Sequence, residues 1–445
     1  MEAFAARWQS LRLAGRSLDL QYYYWKGDLT GRLLCLGLIE AADRGVRVRL
    51  LLDDINNYGF DKTYLALDSH PNIHVRLFNP SRSREDAFRR GIELIVKYFT
   101  ATRRMHNKCW IADGRIVIAG GRNIGDEYFD ASDAANFQDI DVLATGKAVD
   151  GAEAIFDRYW NSDAALPIRQ LHRIRRPKLA KLRLKLTTYC RSSRATRFLS
   201  MAGCVPGDAP SVLPLSELHW SSDTKMIADP PEKASGEAKD EWMGEQINDL
   251  IKTAQKSLSI ISPYFIPGET GARTMTELAA KGVHIRVLTN SLAATDVIAV
   301  HGAYARYRKW LVSNSVKLFE LKPEPGRHRA SLFGSTTASL HTKALVVDGK
   351  VGFIGSFNLD PRSRSINTEM GILFRCPVLA RQLQDIFETQ ILPEISYSVS
   401  DDGGALRWVD EHKGATRHHT GEPDAPLRRI IPAAVIAWLP IESQL

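Results

Sequence analysis

The sequence has little cysteine. Its five, Cys35, Cys109, Cys190, Cys204 and Cys376, are scattered over 445 residues. The odd count and wide spacing argue against a disulfide framework, and no C-x-x-C pair or Cys/His cluster suggests a zinc site. Long apolar runs are missing too. None reaches the ~18 residues that span a bilayer. The opening Met1-Glu2-Ala3-Phe4 lacks the basic and apolar regions of a signal peptide. The longest apolar candidate, Ile430 to Ile441, contains Pro432 and Pro440. It reads either as a buried C-terminal segment or as one that lies on a membrane.

Acidic residues are absent from one stretch. Between Arg169 and Arg197 there are eleven Lys or Arg and no Asp or Glu, which leaves 48 basic against 51 acidic residues elsewhere. The formal charge of +8 therefore sits on one strip of a near-neutral body, which argues against a nucleic-acid coat. With 44% hydrophobic and 25% charged residues, the chain is neither disordered nor collagen-like. At ~150 residues per domain it has room for two or three domains.

What is present is a repeat. Ser17-Leu18-Asp19-Leu20 matches Ser257-Leu258-Ser259-Ile260, and the segment Ala42 to Leu50 matches Ala280 to Leu288. Val75 to Phe78 matches Val316 to Phe319, and His106-Asn107-Lys108 matches His341-Thr342-Lys343. The offsets of 240, 238, 241 and 235 residues are nearly constant, as duplication of a whole domain requires. Each half begins strand, helix, strand. Leu33 to Ala42 is apolar at helical spacing with Gly45 as its C-cap, and Val46 to Leu52 reads as a buried strand. The fold class is α/β, with two similar α/β sandwich domains in one chain. The expected organisation is a first half over 1–166, a cationic connector over 167–235, a second half over 236–395 and a tail over 396–445. Within the connector, 182–186 fits both strand and helix spacing.

The pattern H-x-K-x4-D-x6-G-x2-N occurs twice, as His106, Lys108, Asp113, Gly120, Asn123 and as His341, Lys343, Asp348, Gly355, Asn358. His and Lys two residues apart share one face of an extended chain. Asp113-Gly114 and Asp348-Gly349 carry a hairpin-turn signature, whose return strand can bring each Asn beside its His-Lys pair. An imidazole, an ammonium and an amide on one surface suit a phosphoryl group. Two copies facing each other would supply one histidine to attack phosphorus and one to protonate the leaving oxygen. Aligning the strands after each Asn pairs Asp139 with Glu369, either of which could hold an imidazole N–H; Asp141 is the competing choice. Asp113 and Asp348 have two readings, as turn-forming residues and as direct participants.

This doubled motif resembles the phospholipase D superfamily over roughly residues 3 to 395. The resemblance implies a pseudo-two-fold phospholipase D fold and a covalent phosphohistidine formed without metal or cofactor. It implies catalytic roles for His106, Lys108, Asp113, His341, Lys343 and Asp348, with His106 as nucleophile and His341 as general acid. Asn123, Asn358, Asp139, Glu369 and Ser356 are expected to bind phosphate or orient the histidines. The family usually has a small hydroxyl residue after the motif glycine; Ser356 fits, and Gly121 departs. The segments Arg103 to Lys108, Gly120 to Phe129, Leu288 to Asp296, Gly355 to Ser363 and the ending Leu439 to Leu445 are similar to bacterial cardiolipin synthases of the C type. That implies a phosphatidyltransferase with phosphatidylglycerol as acceptor and phosphatidylethanolamine as a possible donor. It also implies a peripheral place on the bacterial inner membrane. The cationic strip reads either as a dock for anionic lipid or as a solvated or intramolecularly paired helix face. The alternatives are a phospholipase D-type hydrolase and a metal-independent nuclease using the strip as a backbone track.

Three further expectations accompany this reading. The chain begins almost directly at its first strand. Tyr22 to Trp25 and Tyr264-Phe265, at equivalent repeat positions, are either strand-end core or an apolar wall near the phosphate. Asp296, His301 and Arg306 lie on a solvated helix face or contact a head group.

Overall fold

The computed structural model describes the chain apart from residues 58, 81–102, 134, 172–177, 206–217, 324–338, 413–414, 440–441 and 443–444. The first half contains β1 (Ser17–Tyr22), β2 (Arg47–Asp53), β3 (Ile73–Phe78), β4 (Cys109–Ala112), β5 (Ile116–Gly120), β6 (Phe137–Gln138), β7 (Asp141–Thr145) and β8 (Ala165–Pro167). A helix, Leu29–Asp43, crosses from β1 to β2, which run parallel. Asp28 caps its start by accepting from Gly31 N–H at 3.1 Å. Its end is set by Gly45, whose φ of +97° lets Gly45 N–H reach Ala42 O and Val46 N–H reach Ala41 O. Gly282, at +90°, closes the helix Gly268–Ala280 in the same way.

The second half follows as β9 (Thr224–Ala228), β10 (Ser257–Ile261), β11 (His284–Asn290), β12 (Lys317–Leu321), β13 (Ser339–Leu340), β14 (Ala344–Val347), β15 (Val351–Gly355) and β16 (Met370–Arg375), then β17 (Ser396–Asp402), β18 (Ala405–His412) and β19 (Ala415–His419). The first sheet is ordered β7-β5-β4-β1-β2-β3-β8. The second contains the same arrangement, β16-β15-β14-β10-β11-β12-β17, extended by β9 at one edge and by β18 and β19 at the other. The expected duplication is thus present strand by strand.

The halves share one core. Cys109, Ile111, Val117 and Ala119 of the first sheet join Ala344, Val346, Ile354 and Ile372 of the second in a single buried cluster. Separate outer clusters lie beneath Leu29–Asp43 in one half and Gly268–Ala280 in the other. Two short crossings stitch the halves together. β6 pairs in parallel with β13, and His106 N–H donates to Thr368 O at 2.8 Å while His341 N–H donates to Gln138 O at 2.9 Å.

Several elements differ from the sequence reading. A helix, Glu2–Leu13, precedes β1, so the chain does not begin at its first strand; Phe4, Trp8 and Leu11, at helical spacing, bury it. The 182–186 stretch is helical, within Leu179–Cys190, and a second helix, Ser193–Met201, follows. Both pack on the first half through Leu186, Ala195, Phe198 and Leu199. Thr224–Ala228, inside the expected connector, is β9 and pairs with β16. The tail adds strands and a final helix, Leu427–Trp438. Among the described residues, no helix is long and apolar enough to cross a membrane.

Candidate active site

Both motif histidines stand just before a central strand, β4 or β14, where extended backbone alternates its side chains. Lys108 and Lys343 are buried, two residues beyond His106 and His341. Asn107, between the first pair, points the other way and accepts from Thr368 Oγ1 of the second half at 2.9 Å. Each lysine folds back on its own motif: Lys108 Nζ donates to His106 O at 2.6 Å, and Lys343 Nζ donates to His341 O.

The carboxylates cross over. His106 Nδ1 meets Glu369 Oε2 of the second half at 2.8 Å, and His341 Nδ1 meets Asp139 Oδ2 of the first at 2.6 Å. With Nδ1–H given to a carboxylate, Nε2 of each ring keeps its lone pair. Asp141, the competing residue, is engaged elsewhere, by Arg7 at 2.9 Å and Arg122 at 3.6 Å.

Charge and burial set the protonation. Burial pushes His106 down to about 4 and His341 down to about 3, with both lysines adding repulsion against the attraction of Glu369 and Asp139. Asp139 resists its burial because His341 and Lys343 hold it down at about 2. Burial lowers Lys343 to about 8, against the pull of Asp139 and Glu369, and lowers Lys108 strongly. The pocket therefore holds two neutral imidazoles and two easily discharged ammonium groups, a set that an anion would recharge.

The two carboxylates are supported differently. Glu369 accepts from Ser356 Oγ and from Ser363 Oγ at 2.9 Å. Behind it, Asp229 accepts Glu369 N–H at 2.9 Å and pairs with the buried Lys233 at 2.9 Å. Asp139 is one methylene shorter and lies against Gly121, where an added Cβ would come 2.4 Å from Asp139 Oδ1. That close approach explains the departure at position 121: glycine pairs with aspartate in one half, serine with glutamate in the other.

Asn123 and Asn358 are buried close by. Asn123 Nδ2 donates to Tyr128 OH at 3.1 Å, and Asn358 N–H donates to Ser363 Oγ at 3.2 Å. Aromatic rings wall the histidines. Tyr23 lies 5.1 Å from His106, and Tyr128 and Phe137 lie 5.2 and 5.1 Å from His341, centroid to centroid. The strand-end aromatics thus divide between the two expected roles. Tyr22, Trp25 and Phe265 are core, while Tyr23 faces the site.

The structure gathers His106, Lys108, His341, Lys343, Asn123, Asn358, Asp139, Glu369 and Ser356. It does not bring Asp113 and Asp348 with them. Each sits at a hairpin turn with positive φ, five residues beyond its lysine and on the order of 15 Å along the strand. Asp113 accepts from the N–H groups of Gly15, Arg16 and Ser17 at 2.9, 2.7 and 2.9 Å. Asp348 does the same for Gln255, Lys256 and Ser257. Burial opposes their charge, but these three donors outweigh it and lower both pKa values.

His301 does not lie on the solvated face expected for it, because the C-terminal segment covers it, while Arg306 stays exposed. His301 is buried, bonded to Glu422 at 3.1 Å and Arg308 at 2.7 Å. Arg306 holds Ala437 O and Leu439 O, and Asp296 accepts from Tyr264 OH at 2.7 Å. His301, Glu320 and Glu422 converge as metal ligands would, but the Arg308 guanidinium already reaches Glu320 at 3.2 Å and Glu422 at 2.8 Å. Sequence reasoning missed Tyr128, Phe137, Ser363 and the Asp229–Lys233 pair. Their spacing from the motif gives no signal, although Tyr128 and Ser363 fall in segments singled out above and Phe137 lies two residues before Asp139.

Two seven-stranded units, each with a His-Lys motif at a common pocket, define an enzyme of the phospholipase D type. Residues 8–160 and 247–391 match the family described as "Cardiolipin synthase, PLD-like domain". The chain is 38% identical over 448 residues to cardiolipin synthase C of Escherichia coli (strain K12), covering 99% of this chain and 94% of that one. It is 26% identical over 391 residues to cardiolipin synthase of Halalkalibacterium halodurans, covering 86% and 63%. In structure it resembles phosphatidylserine synthase of Haemophilus influenzae Rd KW20 with a TM-score of 0.59 at 15% identity, covering 89% and 85%, a likeness of fold. The chain belongs to the cardiolipin synthase family of phospholipase D-like enzymes.

Proposed function

We propose that the protein is a cardiolipin synthase-type phosphatidyltransferase that moves a phosphatidyl group onto phosphatidylglycerol. The observation that carries this reading is the crossed pair of histidine–carboxylate contacts around two buried lysines, on a chain similar over its whole length to a cardiolipin synthase. The phosphodiester anion sits between the lysines and favours the imidazolium of His341, which draws one proton from solvent. His106 Nε2 attacks phosphorus, the bond to the leaving oxygen breaks, and His341 protonates that oxygen. The acceptor hydroxyl then gives its proton to neutral His341 and displaces His106 from phosphorus. Asp139 and Glu369 hold the rings and stabilise each imidazolium. Asn123, Asn358 and Ser356 orient this set, and Asp113 and Asp348 secure the hairpins beneath it.

Transfer requires the acceptor alcohol to outcompete water, and the rings of Tyr23, Tyr128 and Phe137 supply apolar walls. The donor is phosphatidylglycerol or phosphatidylethanolamine, and the enzyme works peripherally on the bacterial inner membrane. The cationic strip supports an anionic-lipid contact in part. Arg169, Arg183 and Arg194 pair with Asp68, Asp43 and Asp126, while Lys178, Lys181, Lys185, Arg191 and Arg197 are exposed. Purified protein given phosphatidylglycerol, with and without phosphatidylethanolamine, tests the reading by mass spectrometry of products. Cardiolipin is expected; phosphatidic acid alone would make the enzyme a hydrolase.

A further inference from the structure

Among the described residues, the final helix, Leu427–Trp438, is covered on one side only. Ala433 and Ile436 rest on the helix Ile298–Ser313 at Gly302, where a Cβ would come 2.6 Å from Ala433 O. The opposite face carries Leu427, Ile431, Val435 and Trp438, exposed by 71, 59, 55 and 89%. Steps of four, four and three residues place them in one stripe. Pro432, Ala434 and Leu439 extend it, and Arg428 is the helix's one exposed charge. Single exposed apolar side chains are ordinary, but a contiguous stripe marks an interaction surface.

The helix is tied to the loops around the pocket. Arg429 donates to Thr295 O, next to the Asp296 that holds Tyr264. Tyr307 OH donates to Glu442 at 2.7 Å, and Arg362 N–H donates to Leu445 O at 3.1 Å. Arg362 lies in the helix Pro361–Ser365, which follows Asn358 and supplies Ser363 to Glu369.

We infer that this stripe is a membrane-docking surface whose partner is the interfacial zone of a phospholipid bilayer. The helix lies in the bilayer plane with its apolar side chains among the acyl chains. This assignment rests on the phosphatidyltransferase reading, since the substrate then lies in the same bilayer that the stripe enters. Two features favour lipid over a second copy of the chain. Trp438, at the end of the stripe, has an indole suited to the head-group level. A protein interface surrounds its apolar centre with a polar rim, whereas the stripe is bordered on this helix by Arg428 alone, a partner for anionic head groups.

The test is flotation with vesicles of phosphatidylglycerol and phosphatidylethanolamine, comparing wild type with the triple variant Ile431→Glu, Val435→Glu, Trp438→Glu. The vesicle-bound fraction is expected to fall by about tenfold or more, with turnover of detergent-dispersed lipid kept within about twofold. Undiminished flotation of a folded triple variant overturns the assignment. So does a wild-type dimer that the variant splits while vesicle binding persists. If the triple variant does not fold, Trp438→Phe is compared with wild type in vesicles of brominated lipid. Loss of a quenched fluorescence component supports docking, and unchanged quenching overturns it. Flotation is read without turnover. A wild type that floats through the stripe yet makes no cardiolipin sinks the proposed activity and leaves the docking surface standing.

Discussion

His106 and Glu369 lie in different halves of the chain and meet at 2.8 Å. Each imidazole is therefore oriented by the half that did not supply it, since His341 and Asp139 repeat the contact in reverse. Glu369→Gln and Asp139→Asn keep the shape but present an amide to Nδ1. Each is expected to lower kcat by about 10²-fold or more with little change in KM. Steady-state kinetics on detergent-dispersed lipid checks this; an unchanged kcat would remove the carboxylates from the mechanism.

His106→Ala and His341→Ala are each expected to abolish turnover. A covalent intermediate that survives base and is lost in acid, as an N–P bond is, should be trapped only where His106 remains. A single mutant with substantial activity would sink the two-histidine mechanism.

Much of this was legible beforehand, and the reasons are physical. The repeat offsets, the His-x-Lys alternation and the Asp-Gly turns are local or periodic signals, and they fixed the duplicated sheet and the clustered residues. Asp139 and Glu369 were legible as a pair through strand alignment. That they exchange halves was not, because no local signal encodes which surface packs on which. The same holds for His301, which looks like an exposed helical residue until the distant Glu422 and the final helix cover it. The placement of Asp113 needed three backbone donors nearly a hundred residues away.

Asp113 offers a clean separation of structural from chemical roles. Asp113→Asn weakens three backbone contacts, two of which hold the start of β1 and the residue before it. The expected cost is about 1–3 kcal/mol of stability, seen as a lower melting temperature. The folded fraction should retain kcat within about threefold, unlike the histidine variants. Collapse of kcat at full stability would restore the residue to the chemistry.

Gly121→Ala tests the pairing of residue 121 with Asp139. Its Cβ would come 2.4 Å from Asp139 Oδ1, so the carboxylate must shift and misalign His341. A loss of about tenfold or more in kcat is expected, since small misplacements at the reacting groups are costly. Ser356→Ala leaves Glu369 its second hydroxyl, from Ser363, and is expected to cost less. Equal effects would argue against the compensation.

The lowered pKa of Lys343, about 8, predicts an alkaline limb. The ammonium is charged below that value and neutral above it, so affinity for an anionic phosphodiester declines as pH rises through it. kcat/KM should fall above about pH 8. Lys343→Arg, where active, should move that limb upward, because guanidinium stays charged. A limb unmoved by the substitution belongs to another group.

The exchange of carboxylates between halves has an evolutionary reading. Two identical subunits would have to carry the same residue at positions 121 and 356, and the same acid at 139 and 369. Joining them in one chain frees each copy to mutate alone, and the glycine–aspartate and serine–glutamate pairs record that freedom. It also lets a symmetric pocket sit in a lopsided molecule. The final helix decorates one copy only, so its apolar stripe is presented once rather than twice.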